Sequence, residues 1–318
     1  MKIAQKILAL SLMTFTFLFS FTACSNSDIN SSQSNSDSTA STVENKKGDD
    51  LEIPDSIDRI ISLSASNTEI LTGLGLSDKI VAADIFSADA GVDSSVAILD
   101  MQNPDIEKIA SLNPDVIFVN GINTDGASDP YSELKKAGTD VINIPAAASL
   151  DDVKSDIKLI SEYTKTEEKG NELIKSIDDK IKEITDVGIS QIGTDSRAKK
   201  KVYFELSAAP YCYSFGKGTF LNEILDLLGV ENIYGAQDGW LSLTEEDIVS
   251  KNPDIILSSV KYDGYDISEI AKRTGWENVN AVKNNKITYV DTNSVSRASQ
   301  NIVKGMDQIK KALYPDIK

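Results

Sequence analysis

Short runs of β-branched and aromatic residues alternate with longer segments of mixed polarity from residue 51 onward. The runs predict strands of five or six residues, and several of the segments between them are long enough for helices. The seven predicted strands are DRIISL (58–63), KIVAAD (79–84), DVIFV (115–119), DVINI (140–144), KVYFEL (201–206), DIILSS (254–259) and KITYVD (286–291). Strands that alternate with helices are typical of parallel sheets, so the sequence predicts an α/β fold.

A helical pattern replaces the strand pattern over residues 150–199. Apolar residues recur there at spacings of four, four and three, which places them on one stripe of an amphipathic helix: Leu173, Ile177, Ile181 and Ile184. We therefore predict an N-terminal lobe over 51–149 and a similar C-terminal lobe over 200–318, each with a mainly parallel sheet flanked by helices. One long α-helix joins the lobes, and we expect it to keep lobe closure small.

One helix-turn-strand segment occurs twice. IEKIASLNPDVIF (106–118) and EEDIVSKNPDIIL (245–257) are identical at seven of thirteen aligned positions. In each copy Asn-Pro ends a helix of about two turns, because the residue before proline avoids the α region. Glu107 and Glu246 therefore occupy the first turns of corresponding helices. The helix dipole favours an acidic residue there by about 0.3–1 kcal/mol, so the repeat alone leaves a purely structural role open.

The first 23 residues have the pattern of a lipoprotein signal peptide. A charged start precedes an apolar core over 7–21 that is too short to span a bilayer after cleavage. The core ends in Phe-Thr-Ala-Cys, which resembles a bacterial lipobox and implies that Cys24 is lipidated; ordinary secretion is the alternative. Residues 24–50 are mostly polar, so we predict a disordered tether. Such a protein would be lipid-anchored at the extracytoplasmic face of the cell membrane.

Composition excludes several classes of protein. The formal net charge of −17 becomes −19 without Lys2 and Lys6, which disfavours nucleic acid as a partner. The absence of histidine rules out His-based catalysis and removes the usual ligand of zinc sites, so we expect no metal site and no cofactor. Without a Gly-x-Ser-x-Gly elbow or a Walker A loop, we predict that the chain is not an enzyme and has no catalytic residues. Cys212 is the only cysteine after Cys24, so lipidation would leave no disulfide partner.

Five segments of the chain carry a resemblance to a known family: RIISLSASNTEILTGLGL (59–76), NPDIEKIASLNPDVIFVNG (103–121), KVYFELSAAPYCYSFGKGTFLNEILDLLGVENI (201–233), WLSLTEEDIVSKNPDIIL (240–257) and VDTNSVSRASQNIVKGMDQIKKALYP (290–315). Together, and in this order, they resemble the solute-binding proteins of bacterial ABC importers, in the class with a rigid helical connector. Proteins of that class bind cobalamin, haem or ferric siderophores, and the resemblance covers about residues 52–316.

The resemblance implies a role for the two repeated glutamates. In this family one acidic residue on each lobe forms a salt bridge with arginines of the membrane permease, and those positions match Glu107 and Glu246. Two carboxylates far apart on a rigid body define an orientation as well as an attraction. We therefore expect the partners to be an ABC permease with its ATPase subunits, and we expect the protein itself to be a monomer.

The resemblance also implies a ligand-binding cleft between the lobes. Trp240 matches a pocket tryptophan, Phe86 lies where the family often has Tyr, and Met101 stands where an aromatic is usual. Ala65 replaces a more usual proline, and Arg297 matches an arginine that reaches the polar edge of the ligand. Trp240 could instead plug the lobe interface, and Arg297 could be a surface charge. Three further aromatics form either one face of a short strand or a loop that presents them to the ligand: Tyr211, Tyr213 and Phe215.

Composition also narrows the choice of ligand. Anionic chelates are usually held by several arginines or lysines, and this chain has only four arginines. Haem would need a tyrosine ligand such as Tyr211 or Tyr213, because there is no histidine. We expect a corrinoid of the cobalamin type, with a hydroxamate-type ferric siderophore or haem as alternatives. A surface adhesin lipoprotein is the rival class, and it would show no saturable quenching of Trp240 by a solute.

Overall fold

The computed structural model describes residues 41–46, 48–121, 129–190 and 199–317 in full, and the helical backbone of 191–194. Three predicted features lie outside the described residues: the signal peptide, the lipidation of Cys24 and the tether up to residue 40. Within the described ranges, no helix combines the length and the apolar character needed to cross a membrane.

The described residues include the end of the segment predicted as a tether. Thr42–Glu44 (β1) and Asp50–Glu52 (β2) form an antiparallel hairpin, so the prediction of disorder over 24–50 is wrong for these residues. Val43 is buried in the main core, and Lys46 forms an ion pair with Asp156 on the helix that begins at Leu150. Composition did not reveal this because Val43 is the only apolar residue in positions 41–50.

The N-terminal lobe is built on a five-stranded sheet with the order β5-β4-β3-β6-β7, in which every neighbouring pair is parallel. The four strands predicted here are confirmed, and β5 was missed because it has only three residues. In chain order the elements are β3 (Ile60–Leu63), α1 (Ala65–Gly73), β4 (Ile80–Asp84), β5 (Ala97–Leu99), α2 (Ile106–Ser111), β6 (Val116–Val119), α3 (Ser132–Lys136) and β7 (Asp140–Asn143).

Two helices connect the lobes, α4 (Leu150–Tyr163) and α5 (Glu167–Thr194). α5 has 28 residues and is therefore about 42 Å long at 1.5 Å per residue. The predicted apolar stripe faces the protein, since Ile177 and Ile184 are fully buried and Leu173 and Ile181 pack partly buried against the same core.

The C-terminal lobe has a four-stranded parallel sheet with the order β10-β8-β12-β13 and a separate antiparallel pair, β9 with β11. The three predicted strands are confirmed. The elements are β8 (Lys201–Glu205), β9 (Tyr213–Phe215), α6 (Phe220–Leu227), β10 (Glu231–Asn232), β11 (Trp240–Ser242), α7 (Glu245–Lys251), β12 (Ile255–Ser258), α8 (Asn280–Lys283), β13 (Ile287–Tyr289), α9 (Thr292–Ser296) and α10 (Ile302–Leu313). Short 3-10 helices occupy Ser77–Lys79, Ile85–Ser87 and Ile267–Lys272.

The duplicated segment has the same backbone conformation in both lobes. The asparagine of each Asn-Pro-Asp motif lies in the left-handed region, with φ of 46° at Asn113 and 48° at Asn252. Asparagine tolerates this conformation better than most residues, and it ends α2 and α7 just before the following strand.

The aspartate of each motif then fixes the neighbouring parallel strand. Asp115 Oδ2 accepts a hydrogen bond from the backbone N–H of Arg59 at 2.8 Å, and Asp254 Oδ2 accepts one from the N–H of Lys201 at 3.0 Å. Arg59 immediately precedes β3 and Lys201 begins β8. The Asn-Pro-Asp motifs are therefore repeated for structural reasons, because each ends a helix and aligns the strand that follows it with the neighbouring parallel strand.

Candidate ligand-binding cleft

Loops at the carboxyl ends of the strands enclose a cavity of about 410 Å³ between the lobes. Ligands of open parallel sheets bind beyond this end of the strands. On the N-terminal side, one lining segment follows each of the five strands: Ser64, Ala65, Ser66, Asp84, Phe86, Met101, Asn120, Ala146 and Ala147. On the C-terminal side the lining residues come from α6, β11 and the segment around α9: Phe220, Trp240, Thr292, Asn293, Ser296, Arg297 and Ala298.

Five of the eight residues predicted to contact the ligand line this cavity. Phe86 is 64% exposed and Trp240 is 47% exposed, although both are large apolar side chains. Exposed rings on opposite lobes provide contact area for a flat apolar ligand. The five residues are Ala65, Phe86, Met101, Trp240 and Arg297.

The other three predicted residues do not line the cavity. Tyr213 and Phe215 belong to the short strand β9, but Tyr211 lies before it, so the short-strand interpretation holds for two of the three aromatics. Phe215 is fully buried, with its ring centroid 5.3 Å from that of Phe204 and 6.3 Å from that of Trp240. The structure therefore corrects the expectation that Phe215 touches the ligand, since it supports Trp240 from behind. Tyr211 is 83% exposed on the loop before β9.

Asp84 holds two parts of the N-terminal wall together. Its buried carboxylate accepts hydrogen bonds from the backbone N–H of Phe86 at 3.0 Å and of Met101 at 3.2 Å. Because one carboxylate binds both backbones, it fixes the separation of the two side chains predicted to face the ligand. Sequence reasoning missed this role because the two bonded segments are joined only in the folded chain.

Neutral polar groups make up much of the remaining lining. α1 begins at Ala65, and the first backbone N–H groups of a helix have no partner within it. Hydroxyl and amide groups can donate to or accept from neutral carbonyl, amide and hydroxyl groups of a ligand. The side chains of this kind are Ser64, Ser66, Asn120, Thr292, Asn293 and Ser296.

Arg297 connects the two lobes at the cavity wall. Nη1 donates to Glu69 Oε1 at 2.8 Å, and Nη2 donates to the Phe86 carbonyl and to Asp89 Oδ1, both at 2.7 Å. Ser299 also donates to the Glu69 carboxylate. Burial disfavours the charged form of Arg297, but the bonds to Glu69 and Asp89 outweigh it and raise its pKa above the usual value. The alternative of a solvated surface charge is therefore wrong, because Arg297 is buried.

The two repeated glutamates lie away from this cavity. Glu107 and Glu246 are exposed in the first turns of α2 and α7, as predicted. The side chains of Asp105 and Thr244 cap these helices, so neither glutamate is needed as a cap. Within the described residues neither carboxylate forms an ion pair, and no cluster of three or more His, Cys, Asp or Glu could hold a metal ion.

Similarity to known proteins identifies the family. The family model described as "Periplasmic binding protein" matches residues 60–293, which is more than half of the chain. The chain belongs to the periplasmic binding protein family. YvrC of Bacillus subtilis (strain 168), an uncharacterised ABC transporter substrate-binding lipoprotein, is 32% identical over 275 residues, which cover 86% of this chain and 86% of YvrC.

Solved structures of periplasmic binding proteins share the fold. A possible iron-binding (periplasmic solute-binding) protein from Staphylococcus epidermidis is 31% identical with a TM-score of 0.65, covering 81% of this chain and 99% of that chain. The vitamin B12 binding protein BtuF of Vibrio cholerae is 22% identical with a TM-score of 0.63, covering 81% of this chain and 96% of BtuF. This periplasmic binding protein is therefore a substrate-binding component of an ABC importer; it acts outside the cytoplasm with a permease and is not an enzyme.

Proposed function

We propose that this protein captures a corrinoid of the cobalamin type in the cleft and delivers it to its permease. The observation that carries the proposal is the pair of exposed rings, Phe86 and Trp240, on opposite walls of one cavity. A corrin ring is flat and apolar on its faces and carries neutral amide groups at its edge, so the rings suit its faces and the polar lining suits its edge. Vitamin B12-binding proteins of Vibrio and Yersinia are among the relatives.

The size of the cavity is compatible with this ligand if the ring enters edge-on. A cavity of about 410 Å³ takes only part of a corrinoid, and the rest then lies between the exposed rings at the mouth. A hydroxamate-type ferric siderophore is the alternative, because its neutral oxygens suit the same polar lining. Haem has less support, since Tyr211 and Tyr213 do not line the cavity.

We further propose that Cys24 carries a lipid anchor and that Glu107 and Glu246 dock on the permease. The lipobox-like Phe-Thr-Ala-Cys and the lipoprotein YvrC support the anchor. The exposure of both glutamates at equivalent positions of the two lobes supports docking. A lipid at the N-terminus would keep the protein close to a permease in the same membrane.

Titration of the full-length protein with cyanocobalamin tests the proposed ligand. We expect one-to-one binding by calorimetry and saturable quenching of tryptophan fluorescence. The quenching should be weaker in Trp240→Phe, because Trp240 lines the cavity and the other tryptophan, Trp276, does not. If calorimetry shows heat of binding for a ferric hydroxamate and for none of the corrinoids tested, the ligand is the hydroxamate-type siderophore instead. Failure of every corrinoid, ferric hydroxamate and haem to bind would favour the adhesin class.

A further inference from the structure

Arg297 is the only lysine or arginine among the described residues that line the cavity. A lone arginine beside a ligand cavity ordinarily offers its guanidinium to a carboxylate or phosphate as a two-pronged donor. In this protein both Nη atoms are already used, because they donate to Glu69, Asp89 and the Phe86 carbonyl. The positive charge at the cavity is therefore compensated within the protein.

The balance of charge around Arg297 is negative. Two carboxylates, Glu69 and Asp89, face one guanidinium, and the carboxylate of Asp84 lies in the adjoining wall. Glu69 and Asp84 are buried, so water screens them poorly, whereas Asp89 is partly screened because its side chain is 60% exposed. An anionic group brought into this cavity would meet a net negative charge, because the single guanidinium of the described lining is shared between two carboxylates and Asp84 adds a third.

We propose that the ion-pair network of Glu69, Arg297 and Asp89, here called the interlobe latch, makes the cleft select neutral or cationic chelates over anionic ones. This inference rests on the proposed function and specifies the charge class of its ligand. Within the described residues, two of the five N–H donors of Arg297 make no hydrogen bond. They can serve a neutral oxygen at the ligand's edge, so Arg297 acts as a hydrogen-bond donor rather than as an anion receptor.

The latch also holds the cleft in shape. Arg297 Nη2 donates to the Phe86 carbonyl, so a residue of the C-terminal lobe positions one of the two exposed rings of the N-terminal wall. Ser299 donates to the Glu69 carboxylate, and Gln300 Nε2 donates to the Glu69 backbone carbonyl at 2.7 Å, which adds two links across the lobes that do not involve Asp89. Changing the charge of Asp89 alone therefore leaves most of these links in place.

Matched ligands that differ only in charge test the inference. Cyanocobalamin is neutral, and its monocarboxylic acid derivative carries one carboxylate in place of a side-chain amide. For the full-length protein we expect calorimetry to show binding of the neutral form that is about tenfold tighter or more. In Asp89→Asn the negative charge next to Arg297 is halved, so the ratio of the affinities for the neutral and the carboxylate form should fall several-fold. Asp78→Asn removes an exposed carboxylate outside the cavity and should leave the ratio unchanged.

Equal or tighter binding of the carboxylate form by the unmodified protein would overturn the inference while leaving corrinoid capture intact. An unchanged ratio in Asp89→Asn would also overturn it, because the latch would then not set the selectivity. If neither corrinoid binds, the proposed corrinoid function fails. A cationic ferric trihydroxamate and its carboxylate-bearing derivative then provide the same comparison, and equal binding of that pair would overturn the inference. Failure of both pairs to bind would contradict the proposed function and this inference together.

Discussion

Lys46 Nζ lies 2.6 Å from a carboxylate oxygen of Asp156 and ties the β1–β2 hairpin to α4. Burial raises the pKa of Asp156 to about 6, although the hydrogen bond and charge of Lys46 act in the opposite direction. With the buried Val43, this ion pair makes the hairpin part of the folded protein.

Lys46→Met should destabilise the protein by up to about 3 kcal/mol at pH 7, because it leaves a buried carboxylate without its partner. Urea unfolding measures the loss. Lys158→Met is the matched control, since Lys158 and Glu162 form an exposed pair at 3.7 Å and its loss should stay within about 0.5 kcal/mol. Equal effects of the two substitutions would contradict a structural role for the hairpin contact.

The raised pKa of Asp156 should also appear in the pH dependence of stability. Its folded pKa of about 6 lies above the ordinary value of 3.8, so between these pH values the folded state keeps a proton that the unfolded chain has lost. The contribution of Asp156 to the free energy of unfolding therefore falls as pH rises from about 4 to 6 and is constant above that. Asp156→Asn should remove this fall in urea titrations, whereas Asp78→Asn should keep it. Parallel curves for Asp156→Asn and the unmodified protein would show that Asp156 does not titrate in this way.

Seven strands of the two parallel sheets could be predicted because each lies in an apolar run that stands out from its neighbours. β5, β10 and β11 could not, since two or three residues carry too little pattern, and β9, which the sequence left open between a strand and a loop, forms by pairing with β11. Burial of Phe215 follows from that pairing and from its contact with Phe204. Nothing in its local sequence separates it from the exposed Tyr211.

The cleft could be placed from the sequence, but its internal bonding could not. Resemblance identified Phe86, Trp240 and Arg297, and all three line the cavity. Glu69, the partner of Arg297, is 228 positions away in the sequence, and nothing in the residues around Glu69 indicates that it forms this ion pair. Asp84 was likewise unpredicted, because its role depends on two loops that meet only in the folded lobe.

Phe86→Ala and Trp240→Ala should each weaken ligand binding by about 1.5–3 kcal/mol, because each removes a large ring that the ligand would cover. Calorimetry with the ligand identified by titration measures the change. Ile189→Ala is a suitable control, since Ile189 is a similarly exposed apolar residue on α5 that does not line the cavity. If the Ile189 variant lost as much affinity, the effect would be general rather than due to the cleft.

The paired change Glu107→Ala and Glu246→Ala should leave ligand affinity unchanged and lower uptake in cells. Both carboxylates are exposed and outside the cavity, so their loss removes attraction to the permease without touching the ligand. Radiolabelled ligand uptake, compared with calorimetry of the purified protein, separates the two effects. The pair Asp78→Ala and Glu277→Ala removes two exposed carboxylates elsewhere on the lobes and should not affect uptake. Normal uptake by the Glu107 and Glu246 variant would remove the docking role.

Gly188→Ala should destabilise the protein although alanine favours helices by about 1 kcal/mol over glycine. Gly188 lies in α5 against the end of α6, and a Cβ there would come within 2.1 Å of the Leu227 carbonyl oxygen. A backbone atom cannot rotate away, so α5 must shift from the C-terminal lobe, at a cost of about 1–3 kcal/mol or more. Urea unfolding gives the sign of the change in the free energy of unfolding. Ser190→Ala is the control, since Ser190 is exposed on the same helix, and this substitution should be neutral or slightly stabilising.

The same substitution tests whether α5 keeps lobe closure small. In the unmodified protein we expect nearly identical X-ray scattering curves with and without ligand, because a long helix with its apolar stripe packed on the core resists bending between the lobes. In Gly188→Ala the weakened packing against α6 should make the two curves differ more. A stabilised Gly188→Ala protein would show that α5 does not pack tightly on α6. Large ligand-dependent scattering changes in the unmodified protein would show that the helix does not restrain the lobes.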